Sequence, residues 1–236
     1  MTRGKNARTT SMEAPDTDAL VLDIDGRRPL SAESVDAVSG VCDRAEDSGG
    51  QSRVIVRVSG TPEAGWSGEL TMTLVSKWER ALRRLERLPA STIAVADGDC
   101  GGTALDAMLA TDYRVATGAL RLVIPIGHGA TWPGMALYRL AQHGAGAAAI
   151  RRAVLFGTPI MAADALALDL VDELAADPSS ALEAAGERAG AVSGTELAIR
   201  RQLMTDASTT SFEEALGVHL AACDRALRRA SAKVAS

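Results

Sequence analysis

The stretch Ser91-Thr-Ile-Ala-Val-Ala-Asp-Gly-Asp-Cys-Gly-Gly-Thr-Ala-Leu-Asp-Ala-Met-Leu-Ala-Thr-Asp112 decides the reading of this chain. An apolar strand runs through glycines into a helix that carries a carboxylate, Asp106, one turn inside. Small residues at such a junction leave the first helical amides without intrahelical partners, and the peptide dipoles add partial positive charge to them. Negative charge developing on a substrate oxygen suits that spot. A phosphate would suit it too, but no Lys follows the glycines as a phosphate-binding loop requires, and Gly98, Gly101 and Gly102 lack the dinucleotide spacing. A thioester oxyanion is the better match. Asp97 and Asp99, flanking Gly98, read as turn formers.

Outward from this block the chain alternates short strands with helices. Ala19–Asp25 and Arg53–Val58 read as strands around a helix that Ser31 caps, with Ser34 three residues on. The loop from Ser59 to Gly68 is rich in turn residues and long enough to be functional. Leu74, Trp78, Leu82, Leu85 and Leu88 recur at three and four, opposite Arg80, Arg83, Arg84 and Arg87, which predicts a helix over 70–88 stopped by Pro89. After the helix Thr103–Ala110 come strands at Tyr113–Ala116 and Leu120–Ile124, then a glycine-rich loop from Ile126 to Gly134. Helices are expected at Met135–Gln142, Ala147–Phe156, within Ile160–Val171, and past Pro178 at Ser180–Ala191, Glu196–Ala207 and Phe212–Ala230, the last with Ser211 and Glu214 as a capping box. The expected fold class is α/β. A disordered segment over 1–18, a core over 19–178 and a helical region over 179–236 used in packing and oligomerisation complete the expectation.

Composition narrows the function classes. The 236 residues are 47% hydrophobic, enough for a full core. Against 30 acidic residues stand 25 basic ones, a formal charge of -5, which argues against nucleic-acid binding. Cys42, Cys100 and Cys223 are odd in number and without C-x-x-C spacing, so neither a disulfide framework nor a metal site is expected. No apolar leader or membrane-length run is visible, and the expected location is the cytoplasm.

The ordered set of the glycine junction, the acid-bearing helix ending in Thr111-Asp112, the strand to Pro125, Phe156-Gly-Thr-Pro-Ile160, Ala163-Asp-Ala165 and Asp169-Leu-Val-Asp172 resembles the crotonase (enoyl-CoA hydratase/isomerase) superfamily. The resemblance implies a crotonase-like spiral of ββα units with a C-terminal helical region, a homotrimer or hexamer, and an acyl-CoA thioester as substrate. Coenzyme A would enter only as part of that substrate, with no separate cofactor. Two main-chain N–H groups hold the thioester oxygen in that family. Matched to this chain, they fall at Gly68, in the Trp66-Ser67-Gly68 loop, and at Thr103, with Gly102 next in register. Within the superfamily the Ser76–Leu88 helix, Asp97-Gly-Asp-Cys-Gly-Gly-Thr103 and Ala130-Thr-Trp-Pro-Gly-Met-Ala-Leu-Tyr-Arg-Leu140 look most similar to a crotonase homologue of 3,5-dihydroxyphenylacetyl-CoA formation. That implies a type III polyketide synthase and a second crotonase homologue as partners, with loss of water from a cyclised polyketide thioester.

One departure matters. Hydratases of the family place carboxylates at two positions, and here the helix position is Asp106 while the residue after Pro125 is Ile126. A two-acid hydratase is therefore not expected, since each proton moved needs a group within hydrogen-bond reach. Asp106 can still act alone if burial raises its pKa. Its plainer reading is an acid stabilised by its own helix. His128 is a candidate proton shuttle or a solvated loop residue, and Trp66 and Trp132 either wall an acyl pocket or simply pack. Three classes stay open: an acyl-CoA dehydratase or simple hydratase/isomerase, a catalytically weak binding subunit that enhances a synthase, and a structural oligomer.

Overall fold

Period-two alternation in the second strand sets the architecture: Val54, Val56 and Val58 are buried on one face, Ile55 on the other, and Arg57 is exposed. The computed structural model describes residues 19–49, 52–127, 129–144, 146–177, 179–183 and 194–234. Strands β1 (Ala19–Asp25), β2 (Arg53–Gly60), β3 (Thr92–Gly101), β4 (Tyr113–Thr117) and β9 (Glu173–Ala175) lie side by side in the order β1-β2-β3-β4-β9, all parallel. Strand β5 (Arg121–Val123) pairs parallel with the far end of β3 and antiparallel with β8 (Ile160–Met161), which completes a seven-stranded sheet among the described residues. Parallel strands need crossovers, and helices supply them.

Helix α1 (Ala32–Asp47) joins β1 to β2 and is capped by Ser31, whose side chain accepts from the Ser34 amide. Val35, Val38, Val41, Cys42 and Ala45 form its buried stripe. Helix α2 (Met72–Leu85) begins two residues later than expected because Thr71 caps it, its hydroxyl accepting from Leu74. Trp78, Ala81, Leu82 and Leu85 are its buried face. Helix α3 (Thr103–Leu109) joins β3 to β4, with Ala104, Leu105, Ala107, Met108 and Leu109 all buried. These helices and the sheet face bearing Leu22, Ile24, Val54, Val56, Ala94 and Ala96 enclose the main core. A smaller cluster of Ile55, Ile93, Val95, Val115 and Ala181 occupies the opposite face.

The glycine block differs from its sequence reading. The expected strand over 92–96 continues to Gly101, and the pairing with β2 shifts register between Val58 and Gly60, so the irregularity is a bulge inside a strand. Gly98 takes up the distortion at φ 64°. Asp97 and Asp99 are accordingly strand residues and not turn formers: Asp97 accepts from the Thr117 hydroxyl at 2.5 Å, and Asp99 pairs with Arg121 at 3.3 Å. The ends of β1, β2 and β3 come so close that a Cβ on Gly26 would stand 2.4 Å from the Gly60 oxygen and 2.5 Å from the Gly101 oxygen. Only glycine fits there.

Downstream, the expected loop at 126–134 contains a short hairpin, β6 (Ile126–Gly127) with β7 (Ala130–Thr131). Helices α4 (Met135–Gly144), α5 (Ala148–Phe156) and α6 (Ala162–Ala167) follow, and α5 ends at Gly157 in the left-handed region. Residues 179–183 form the described part of α7, so the remainder of the helix expected at 180–191 lies outside the described residues, as does the segment 1–18. Helices α8 (Thr195–Asp206) and α9 (Phe212–Val234) make up most of the remaining described residues, and Ser211 and Glu214 form the expected capping box. Arg201 fastens α8 to the core: it holds both Asp112 oxygens, at 2.6 and 2.5 Å, and donates to the carbonyls of Leu88 and Ala90. Cys42 and Cys100 are buried, Cys223 is exposed, and none is bridged. No helix of the described residues is long and apolar enough to cross a membrane.

Candidate active site

Helix α3 positions the carboxylate that the sequence singles out. Its cap is Gly102, at φ 54° and ψ -129°, a conformation that side chains other than glycine's rarely allow. The cap lets β3 turn abruptly into Thr103, and the Asp106 amide makes the helical bond back to the Gly102 carbonyl at 3.0 Å. The amides ahead of Asp106 therefore lie before the first in-register acceptor. At the other end of α3, the buried Arg114 guanidinium donates to the carbonyls of Met108, Leu109 and Thr111. Both ends of α3 are thus fixed by backbone geometry or by hydrogen bonds.

A small cavity of about 30 Å³ lies beside α3. Gly102, Thr103 and Asp106 line it from below, Trp78 and Glu79 from α2, Trp66 and Trp132 from the two glycine-rich loops, and Arg28 from the turn after β1. Trp66 and Trp132 meet edge to face, with ring centroids 5.1 Å apart and planes at 77°. That volume is near the space one water needs, smaller than an acyl group.

Asp106 is enclosed. Trp78 Nε1 donates to its Oδ2 at 3.2 Å, and the Ala136 backbone lies nearby and favours the charged form. Burial pushes its carboxyl up to about 7, with the nearby Glu79 adding to the rise, while Trp78, Arg139 and Ala136 pull the other way. Glu79 is itself held above the usual carboxylate range, mainly by burial, against the opposing pull of Arg139. Arg139 stands between Glu79 at 3.1 Å and Glu86 at 2.8 Å.

Of the sequence-singled residues, the fold gathers Trp66, Gly102, Thr103, Asp106 and Trp132 on one cavity. Ser67 and Gly68 are not among its lining residues, and the Gly68 N–H donates to the Gly65 carbonyl at 3.0 Å within its own turn. His128 lies outside the described residues. Ile126 is 57% exposed on β6 and away from the cavity. Sequence reasoning missed Trp78, Glu79 and Arg139. Their signal is the spacing of Val75, Glu79 and Glu86, which puts two carboxylates beside the apolar stripe of α2 where a cation must meet them.

No family model matches the chain. A curated protein from Amycolatopsis orientalis described as "Enoyl-CoA-hydratase" is 58% identical over 211 residues, which cover 89% of this chain and 96% of that protein. The chain belongs to the crotonase (enoyl-CoA hydratase/isomerase) superfamily. Solved structures of superfamily members share its fold at low identity. An enoyl-CoA hydratase from Mycobacterium smegmatis superposes with TM-score 0.76 at 17% identity, covering 90% of this chain and 88% of that one. The enoyl-CoA hydratase from Bacillus anthracis gives 0.69 at 17%, covering 88% and 86%. The crotonase-like α/β fold that the resemblance implied is therefore the observed one.

Proposed function

We propose that this superfamily member is an enoyl-CoA hydratase-type lyase that removes water from a β-hydroxyacyl thioester of coenzyme A. The observation that carries the reading is Asp106: a half-buried carboxylic acid pushed up to about 7, one turn from the Thr103 amide, on a single cavity. In the proposed reaction the thioester oxygen is held by the Thr103 N–H while charge gathers on it. Admission of the acyl group displaces Trp66 and opens the Gly65–Gly68 turn, which frees the Gly68 amide as second donor. Asp106, protonated near neutral pH, gives its proton to the departing β-hydroxyl, which leaves as water. Arg28 at the cavity rim offers a cation to the anionic parts of coenzyme A.

The substrate we favour is a cyclised polyketide thioester supplied by a type III polyketide synthase, with 3,5-dihydroxyphenylacetyl-CoA as product and a second crotonase homologue as co-worker. Aromatisation makes that dehydration strongly downhill, which suits a site with Ile126 in place of a carboxylate. The protein is proposed to act in the cytoplasm as a homotrimer or hexamer. No metal or separate cofactor has a part in the scheme.

The test is to incubate the purified protein with such a synthase and malonyl-CoA and to identify the thioester products by mass. Asp106→Asn is expected to slow aromatic product formation at least about tenfold. An unchanged rate would favour an accessory subunit that steadies the synthase without chemistry of its own. Hydration of crotonyl-CoA is expected to be slow, and vigorous turnover would favour a simple hydratase.

A further inference from the structure

Eliminating water moves two protons, and Asp106 accounts for one of them. We propose that Glu79 is the base that takes the Cα proton, so that the second carboxylate of this site comes from helix α2. The assignment rests on the reading of the cavity as an acyl-CoA dehydratase site.

Glu79 and Asp106 line the same small cavity, from α2 and α3 respectively. Their surroundings differ in a way that separates their roles. Asp106 accepts a hydrogen bond from the neutral Trp78 indole, with the Ala136 backbone nearby, and no cation stands within ion-pair distance of it among the described residues. Glu79 has Arg139 at 3.1 Å, and that guanidinium is only 10% exposed and also pairs with Glu86 at 2.8 Å. A carboxyl beside neutral donors is the better acid at neutral pH, and one beside a guanidinium is the one that ionises first. The Glu79 Oε2 is enclosed and meets Arg139 at 3.1 Å without an aligned hydrogen bond. Burial keeps the Glu79 carboxylate above its ordinary range and hence more basic than a solvated one.

The step balances without a co-reactant. The Cα–H bond breaks and its proton passes to Glu79, the electron pair forms the Cα–Cβ double bond, and the Cβ–O bond breaks. The departing oxygen takes the Asp106 proton and leaves as water. Glu79, now protonated, and Asp106, now ionised, return to their starting states by exchange with solvent.

Hydrogen exchange at Cα isolates the first half of this sequence. With phenylacetyl-CoA in D₂O, a thioester that has an acidic Cα–H and no β-hydroxyl to lose, the wild-type protein is expected to exchange the Cα protons, read by mass. Glu79→Gln is expected to lose exchange by at least about a hundredfold. Asp106→Asn is expected to lose no more than about tenfold in exchange while failing in product formation. Near-UV circular dichroism checks the fold of each. Should Glu79→Gln not fold, Glu79→Asp serves, with an expected loss of at least about tenfold from its shorter reach. Wild-type exchange in a folded Glu79 variant overturns the assignment and leaves the dehydratase reading standing. A wild-type protein inert toward the thioester and in the synthase assay removes both.

Discussion

Trp78 Nε1 donates a hydrogen bond to Asp106 Oδ2 at 3.2 Å, joining two adjacent helices across a buried wall of the cavity. The bond favours the ionised carboxylate and so restrains a pKa that burial drives upward to about 7. Trp78→Phe removes the donor and leaves the acid to burial and Glu79. If Asp106 works as the proton donor, activity falls as pH rises through its pKa. The variant's pH–rate profile is then expected to keep its shape while its alkaline limb moves to higher pH, and an unmoved limb speaks against the bond's role.

Asp106 also makes stability depend on pH. Its folded pKa of about 7 lies above the usual 3.8, so between those values the folded protein binds more protons than the unfolded chain. Stability from this group is therefore full below about 3.8 and is lost as pH rises through about 7. The full shift corresponds to no more than about 4 kcal/mol. Asp106→Asn removes the cost of the buried charge, and the variant is expected to unfold at a higher temperature than wild type at pH 8. The gap should narrow steadily towards pH 5 in thermal melts monitored by circular dichroism.

Gly102 holds the junction between β3 and α3 at φ 54°, and a Cβ there would meet Pro62 Cγ at 3.0 Å. Gly102→Ala is expected to cost about 1–3 kcal/mol in urea unfolding, from the strained backbone alone. It also displaces the Thr103 amide, so the loss in kcat/KM is expected to exceed what reduced folding explains.

Arg201 ties α8 to the core through Asp112 and two carbonyls, with its side chain 11% exposed. Arg201→Ala leaves Asp112 with its bonds from Thr92 and strips two backbone acceptors of their partner. A loss of roughly 2 kcal/mol is expected. Limited proteolysis should then cut between residues 194 and 206 faster than in wild type.

Local signals carried most of the fold. The stripe of α1, the Ser31 cap and the Ser211–Glu214 box are written in consecutive or three-to-four-spaced residues, and each stands where that spacing puts it, whereas α2 ends at Leu85, short of the expected Leu88. Asp97 and Asp99 misled because their preference for turns is weaker than the pairing that β2 and β5 offer to the whole of β3. The hairpin at Ile126–Thr131 escaped notice because two-residue strands leave no periodicity. At the site, Asp106 and Thr103 were legible since they share one local block. The Glu79–Arg139–Glu86 cluster was not, because its members lie on α2 and α4 and meet only through packing that no local pattern encodes.

The Trp66–Trp132 contact is expected to set how fast a ligand is captured. With room in the chamber for about one water beside the paired rings, uptake of a thioester is expected to wait for the two rings to part. The observed capture rate should accordingly climb with thioester concentration and then level off at the frequency of that parting, a plateau that trimming either ring to alanine would lift.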